Sequence, residues 1–184
     1  IMWCGGRNLA ADYFEGGYYA LRQHAPWIDL SFDLRGALVH DARWQFEEDW
    51  AFAREQATPD VPPLPLPVPD ASSLAQLVVS GPDRADDTIY TLLISACFTS
   101  QRRILAITPY FVPDQGLLMA LMLAARRGLT VDLVIPAHSN HRLADIARHR
   151  ALRDLVSAGG RVWLHPEMVH AEAVRIDGDL ALVG

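Results

Sequence analysis

The chain has no lysine: all 16 of its basic residues are arginine, and they are outnumbered by 22 acidic residues for a formal net charge of −6. That balance excludes the basic stripe expected of a nucleic-acid-binding face. Long hydrophobic runs are also missing. No stretch approaches the roughly 18–20 apolar residues needed to span a bilayer, and the longest, residues 117–125, suits a buried helix. Cysteine is scarce: Cys4 and Cys97 are far apart, fit no metal-ligand spacing and read as small buried hydrophobes. The opening Ile1-Met-Trp-Cys-Gly-Gly6 has neither a basic region nor a signal-peptide pattern. We read it as the start of a fragment, so any targeting or membrane segment of a parent protein is expected outside this sequence.

What is present is a chain with enough apolar character, 51% hydrophobic, to exclude disorder as its main state. One punctuation mark dominates: residues 59–69 hold six of the twelve prolines. Proline fixes φ and removes a backbone donor, so this run predicts an extended, semi-rigid linker. The expected division is residues 1–57, a linker over 58–72, and residues 73–184. In the first part, residues 27–34 alternate as a half-buried strand does. Residues 37–54 place Leu38, Ala42, Phe46 and Trp50 on one helical stripe.

The second part alternates regularly. Strands are predicted over 74–79, 104–108, 130–135 and 161–164. Helices are predicted from Asp86 or Asp87 to Ser100, from Asp114 to Gly128, and from Asn140 to Ala158. A hairpin follows, with strands over 169–176 and 180–183 around the turn Asp177-Gly178-Asp179. This order predicts an α/β fold, a mixed sheet flanked by helices on both faces. No glycine-rich phosphate loop follows the first strand, which argues against a doubly wound nucleotide-binding domain.

On that hairpin lies the group His170-Ala-Glu172-Ala-Val-Arg-Ile-Asp177. Alternation along a strand turns His170 and Glu172 the same way. Alone, the group is also compatible with an incidental structural role. In context, His170, Asp177 and Gly184 fall on the pattern His-x-Lys, four residues, Asp, six residues, Gly-Ser-x-Asn, and Gly5-Gly6-Arg7-Asn8 is similar to the tail of a first copy. Thr108-Pro-Tyr-Phe-Val-Pro-Asp114 resembles the segment opening the second half of bacterial cardiolipin synthases. Trp27-Ile-Asp29, Gly36, Asp49-Trp50, Ser80-Gly81-Pro82-Asp83 and Ala124-Ala-Arg-Arg-Gly128 resemble further motifs recurring there in the same order. The whole chain therefore resembles a central piece of a bacterial cardiolipin synthase of the phospholipase D superfamily, truncated between its two motifs.

The resemblance implies a phosphatidyl transfer in two steps, through a phosphohistidine, between two phosphatidylglycerols, giving cardiolipin and glycerol. It implies no metal and no organic cofactor. It makes His170 the general acid/base histidine, Asp177 the motif's acidic residue, and Asn8 a phosphate-binding residue of the first motif. Tyr110 and Phe111 would line the substrate entrance, or else pack as ordinary aromatics at a strand end. Its implied partners are anionic phospholipid and, through the parent protein, the bacterial inner-membrane surface; a homodimer would cover open strand edges. Glu172 stands where the family has lysine. It would repel phosphate, or pair with a protonated His170; with that change, and with the first motif's His, Lys and Asp expected before Ile1, the chain as given is expected to be inactive. Three other readings stay open: a phospholipase, a nuclease, or a catalytically dead homologue serving as a binding or scaffold module. The helix residues Arg148, Arg150 and Arg153 read as solvated and salt-bridged, or else as contacts for anionic lipid headgroups, and His138, His141 and His149 as solvated.

Overall fold

In the computed structural model the described residues are 1–14, 25–57, 59–60, 74–81 and 87–184. Most of the proline-rich run, His24 and Asp86 lie outside them. The chain forms two compact units, one of Ile1–Cys4 with Phe32–Thr88 and the other of Gly5–Ser31 with Ile89–Gly184. Gly5–Ser31 groups with the second unit. A parallel bridge between Ile28 and Val169 shows why: Ile28 donates to the Met168 carbonyl (2.9 Å) and accepts from His170 N–H (2.7 Å).

In the first unit, β1 (Met2–Gly5) pairs with β2 (Ser31–Leu34) in a two-stranded sheet. Helix α1 (Leu38–Ala53) follows where the stripe predicts it. The stripe itself stays largely in water: Phe46 and Trp50 stack on each other but are 59% and 51% exposed. The strand predicted over 74–79 is absent, and Leu74 at its head is fully exposed. An apolar run needs burial to become a strand, and here it lacks it.

The second unit holds α2 (Thr88–Thr99), β3 (Arg103–Ile107), α3 (Gln115–Arg126), β4 (Thr130–Pro136), α4 (Arg142–Ser157), β5 (Arg161–His165), β6 (Ala173–Ile176) and β7 (Leu180–Val183). Its sheet runs β5-β4-β3-β6-β7, with β3, β4 and β5 parallel and the last hairpin antiparallel. Helix starts and stops follow local chemistry. The Asp114 carboxylate caps α3 by accepting from Leu117 N–H (2.8 Å), and Gly128, at φ +91°, ends its last turn.

Strands β3, β4 and β5 step in one direction, so right-handed crossovers put α3 and α4 on the same face. Helix α2 runs beside α3: Tyr90 donates to Asp114 (2.7 Å) near one end, and Arg127 bonds to the carbonyls of Cys97, Phe98 and Ser100 near the other. The mixed α/β fold is as expected, but where helices were expected on both faces, the described helices of this unit share one. Between them and the sheet lie Ile104, Val131, Leu133, Ile135, Leu155 and Ile176, the dry core. Cys97 belongs to it, and burial pushes its thiol up to about 11, so it is an inert hydrophobe.

The opposite face carries an ion cluster. Asp132, 1% exposed, sits beside Arg161 in register and accepts from it twice (2.7 and 2.9 Å), from Arg103 (2.7 Å) and from Trp163 Nε1 (2.9 Å). Burial alone would raise its pKa; the bonds from Arg161, Trp163 and Arg103 outweigh this and hold it below the usual range. Removing the carboxylate leaves two guanidiniums that are already half in water, so Asp132→Ala is expected to cost about 2 kcal/mol in urea denaturation, not the larger penalty of a fully buried pair.

At the hairpin turn, Asp177 (φ +53°) accepts from three successive backbone N–H groups, Gln101 (2.7 Å), Arg102 (2.7 Å) and Arg103 (2.8 Å). The Arg103 bond first, then Gln101 and Arg102, hold its carboxyl below the usual range against a smaller opposing effect of burial. A depressed carboxylate stabilises above its unfolded pKa of about 3.9 and ceases to do so as pH falls through the folded value. Asp177→Asn should therefore be less stable than wild type at neutral pH, and the gap should close below about pH 4. A gap that stays constant on acidification would show that the charge is not what holds the turn.

Candidate active site

The topology gathers three segments at one end of the sheet: residues 108–113 after β3, residues 137–141 after β4, and residues 169–172 before antiparallel β6. This is the carboxyl end of the parallel strands, where α/β sheets leave a crevice for ligands. The Ile28–Val169 bridge adds a fourth segment, Trp27–Asp29.

That bridge sets up the central pair. His170 Nδ1 lies 3.1 Å from Asp29 Oδ2, across 141 positions of sequence. The Asp29 side chain is fully buried and that of His170 is 20% exposed. The other carboxylate oxygen accepts from Leu30 N–H (2.7 Å). A carboxylate only accepts, so Nδ1 carries the proton and donates it, which fixes the tautomer and leaves Nε2 for proton transfer or attack. Glycine makes room for the carboxylate. A Cβ on Gly6 would lie 2.8 Å from Asp29 Oδ1, and one on Gly5 (φ +135°) 2.1 Å from the Leu30 carbonyl. The Gly5-Gly6 pair is thus required by the close approach of residues 29–31.

Aromatic rings fix the imidazole plane. Trp27 stacks on His170 (5.7 Å between centroids), while Tyr13 (5.4 Å) and Tyr110 (6.3 Å) meet it edge-on. Asn8 joins this wall by donating to the Tyr13 hydroxyl (3.2 Å). Burial first, then the Asp29 charge, raise the Tyr13 phenol, which stays neutral. Tyr110 is also raised, by burial foremost, and donates to Asn140 Oδ1 (2.6 Å). Its ring meets His141 edge-on at 5.2 Å.

The loop carrying Asn140 and His141 is held from beneath by Arg148. This residue is buried (6% exposed), not solvated as its helix pattern suggests, because its guanidinium donates to the carbonyls of Pro136 (3.0 Å) and Ala137 (2.8 Å) and pairs with Asp145 (3.1 Å). Asp145 in turn accepts from Ser139 N–H (3.0 Å).

Residues 93–184 match the family described as "Cardiolipin synthase, PLD-like domain". The chain belongs to this family. It is 35% identical over 183 residues to Cardiolipin synthase A of Pseudomonas aeruginosa (strain LESB58), covering 98% of this chain and 36% of that protein. To Cardiolipin synthase A of Pseudomonas putida (strain GB-1) it is 33% identical over 187 residues, covering 100% and 37%. The chain therefore spans little more than a third of these relatives. Among solved structures, Nuc, a phospholipase D family member from Salmonella typhimurium, overlays on 48% of this chain and 57% of its own at 24% identity and a TM-score of 0.39.

Within the cardiolipin synthase motif the structure separates residues that the sequence groups together. His170 is at the crevice. Asp177 closes the opposite end of β6, about 20 Å of extended chain away. Its carboxylate is spent on the start of β3, so Asp29, not Asp177, orients the imidazole. Glu172 is exposed, and its side chain is in no hydrogen bond or ion pair with His170, whose Nδ1 is held by Asp29, so it does not hold His170 either. Phe111, expected at the entrance beside Tyr110, is 6% exposed and packs in the core. Successive residues of an extended segment face opposite ways, and Tyr110 takes the crevice side. Asn8 and Tyr110 do reach the wall around His170.

Asp29→Asn replaces the acceptor that selects the tautomer. In 15N-detected NMR of the histidine ring, wild-type His170 is expected as the Nδ1-protonated form, and the variant as a mixture. An unchanged tautomer in Asp29→Asn would mean that the aromatic wall alone sets the ring.

Proposed function

We propose that this chain is part of a phosphatidyltransferase that condenses two phosphatidylglycerols to cardiolipin and glycerol at the bacterial inner membrane, by way of a phosphohistidine. The observation that carries the reading is the imidazole at the crevice with Nδ1 held by a fully buried carboxylate. Such a ring, its free nitrogen open to substrate, suits alternating protonation of a leaving alcohol and deprotonation of an incoming one. In the first step a P–N bond to the partner histidine forms as the P–O bond to glycerol breaks, and His170 gives that oxygen a proton. In the second, His170 takes the proton of the acceptor hydroxyl as a new P–O bond replaces P–N. Asn8 and Tyr110 line the path of the headgroup. No helix among the described residues is long and apolar enough to cross a membrane, so this part would meet lipid at the surface.

With a single imidazole on a buried carboxylate among the described residues, and with Glu172 in place of the family's lysine, the chain by itself is expected to make no cardiolipin. The test grafts it over the matching segment of the Pseudomonas aeruginosa relative and supplies phosphatidylglycerol vesicles. Cardiolipin, glycerol and an acid-labile phosphohistidine are expected once the graft also carries Glu172→Lys, and His170→Ala in that background should lower the rate by about 10²–10⁴. If the graft folds yet forms neither product nor phosphohistidine, the transferase reading fails and a binding module, which Glu172 favours, takes its place.

A further inference from the structure

The outer side of α4 has no part in the site described above. On its inner side Arg148, Ala151 and Leu155 recur at helical spacing and are buried. Leu143, Ile146, Arg150 and Arg153 recur at the same spacing on the other side, with Arg142 beside them, and all five are exposed. Leu143 and Ile146 are 82% and 66% exposed, although water is a poor solvent for both. This face is also basic within an acidic chain, whose net charge is −6. Its three arginines meet one aspartate, Asp154, which pairs with Arg150 (3.7 Å). Asp145, the other acidic residue of the helix, is turned inward to Arg148 and Ser139. Arg142 and Arg153 have no ion-pair partner among the described residues. The apolar end of the face adjoins the crevice. His141, the N-cap of α4, meets Tyr110 edge-on at 5.2 Å, and Tyr110 lies 6.3 Å from the His170 ring. Two more exposed aliphatic side chains belong to the same end of the sheet: Val112 (53%), in the segment leaving β3, and Leu164 (59%), near the end of β5.

We propose that this face of α4 docks on an anionic bilayer surface, with Leu143 and Ile146 entering the acyl boundary and Arg142, Arg150 and Arg153 meeting lipid phosphates. The inference rests on the transferase reading above for the choice of lipid. Two features of the face select this occupant. Aliphatic side chains flanked by arginines are what an interfacial helix presents, because the arginine stems lie along the apolar layer while the guanidiniums stay among the headgroups. Cations without protein partners are attracted to a surface of fixed negative charge, and a neutral surface offers them no such gain. A second copy of the chain fits less well: self-association through one shared patch would set these arginines against their own copies. Docked this way, α4 brings the Tyr110 side of the crevice to the headgroup layer.

The test is co-sedimentation of this chain with vesicles of phosphatidylcholine alone and of phosphatidylcholine mixed with phosphatidylglycerol. The mixed vesicles are expected to bind at least about tenfold more tightly, and raised salt should remove most of that difference. Arg150→Glu with Arg153→Glu should weaken binding to the mixed vesicles by about thirtyfold or more. Leu143→Ser with Ile146→Ser should weaken it by about tenfold. Arg35→Glu with Arg43→Glu, an equal charge change at exposed positions outside α4, should cost about threefold at most. Circular dichroism checks that the variants fold. Equal binding to both vesicles, no binding to the mixed vesicles, or an α4 reversal that matters no more than the control would each overturn the proposal. So would a dimer in sedimentation velocity that Leu143→Ser with Ile146→Ser dissolves, since the face would then belong to a second copy. Binding is read without turnover. Docking through α4 in a chain whose graft forms no phosphohistidine would therefore sink the transferase reading alone, and a working graft whose vesicle binding ignores the α4 variants would sink only the docking.

Discussion

Asp29 is a carboxylate with no contact with water, and a carboxylate in that state has to be paired or it costs several kcal/mol. Its two oxygens take one backbone N–H and one imidazole N–H, from Leu30 and His170. Much of the site follows from satisfying that group. Residues 27–29 must lie against the start of the last hairpin, which the Ile28–Val169 bridge accomplishes. Gly5 and Gly6 must be glycines for this segment to pass so close to them. The His170 ring is then held in one tautomer and one plane, with Trp27 and Tyr13 closing its sides.

A second constraint is the direction of the parallel strands. Because β3 and β4 run the same way, the segments that leave them both emerge at the same end of the sheet as His170, and each brings polar side chains: Tyr110 from the first, Asn140 and His141 from the second. Opposite ends of β6 have opposite duties. Its start lies at the carboxyl end of the parallel strands, just after His170, while the turn after its end is a clamp on the backbone of residues 101–103. The two acidic residues in the neighbourhood of His170 differ in the same way. Asp29 is buried and orients; Glu172 is exposed.

Much of the fold was legible because its signals are local. Helix α3 starts at the Asp114 cap and stops at Gly128, and β6 and β7 flank an Asp-Gly turn whose left-handed backbone that pair tolerates. What failed to show was burial, which depends on distant chain. The apolar run at 74–79 has no sheet to join, the stripe of α1 leaves Phe46 and Trp50 exposed, and Arg148, in a helix rich in arginine, turns inward to two carbonyls.

The sequence by itself determined the family and the α/β alternation, since each is written in contiguous motifs and in the period of apolar residues. Only the tertiary structure decided which carboxylate serves His170. The motif offers Asp177, seven positions along, and Trp27-Ile-Asp29 gives no hint of a partner 141 positions away. A strand's rise carries the near residue to the far end of the sheet, and a bridge between two remote segments brings the far one within a hydrogen bond.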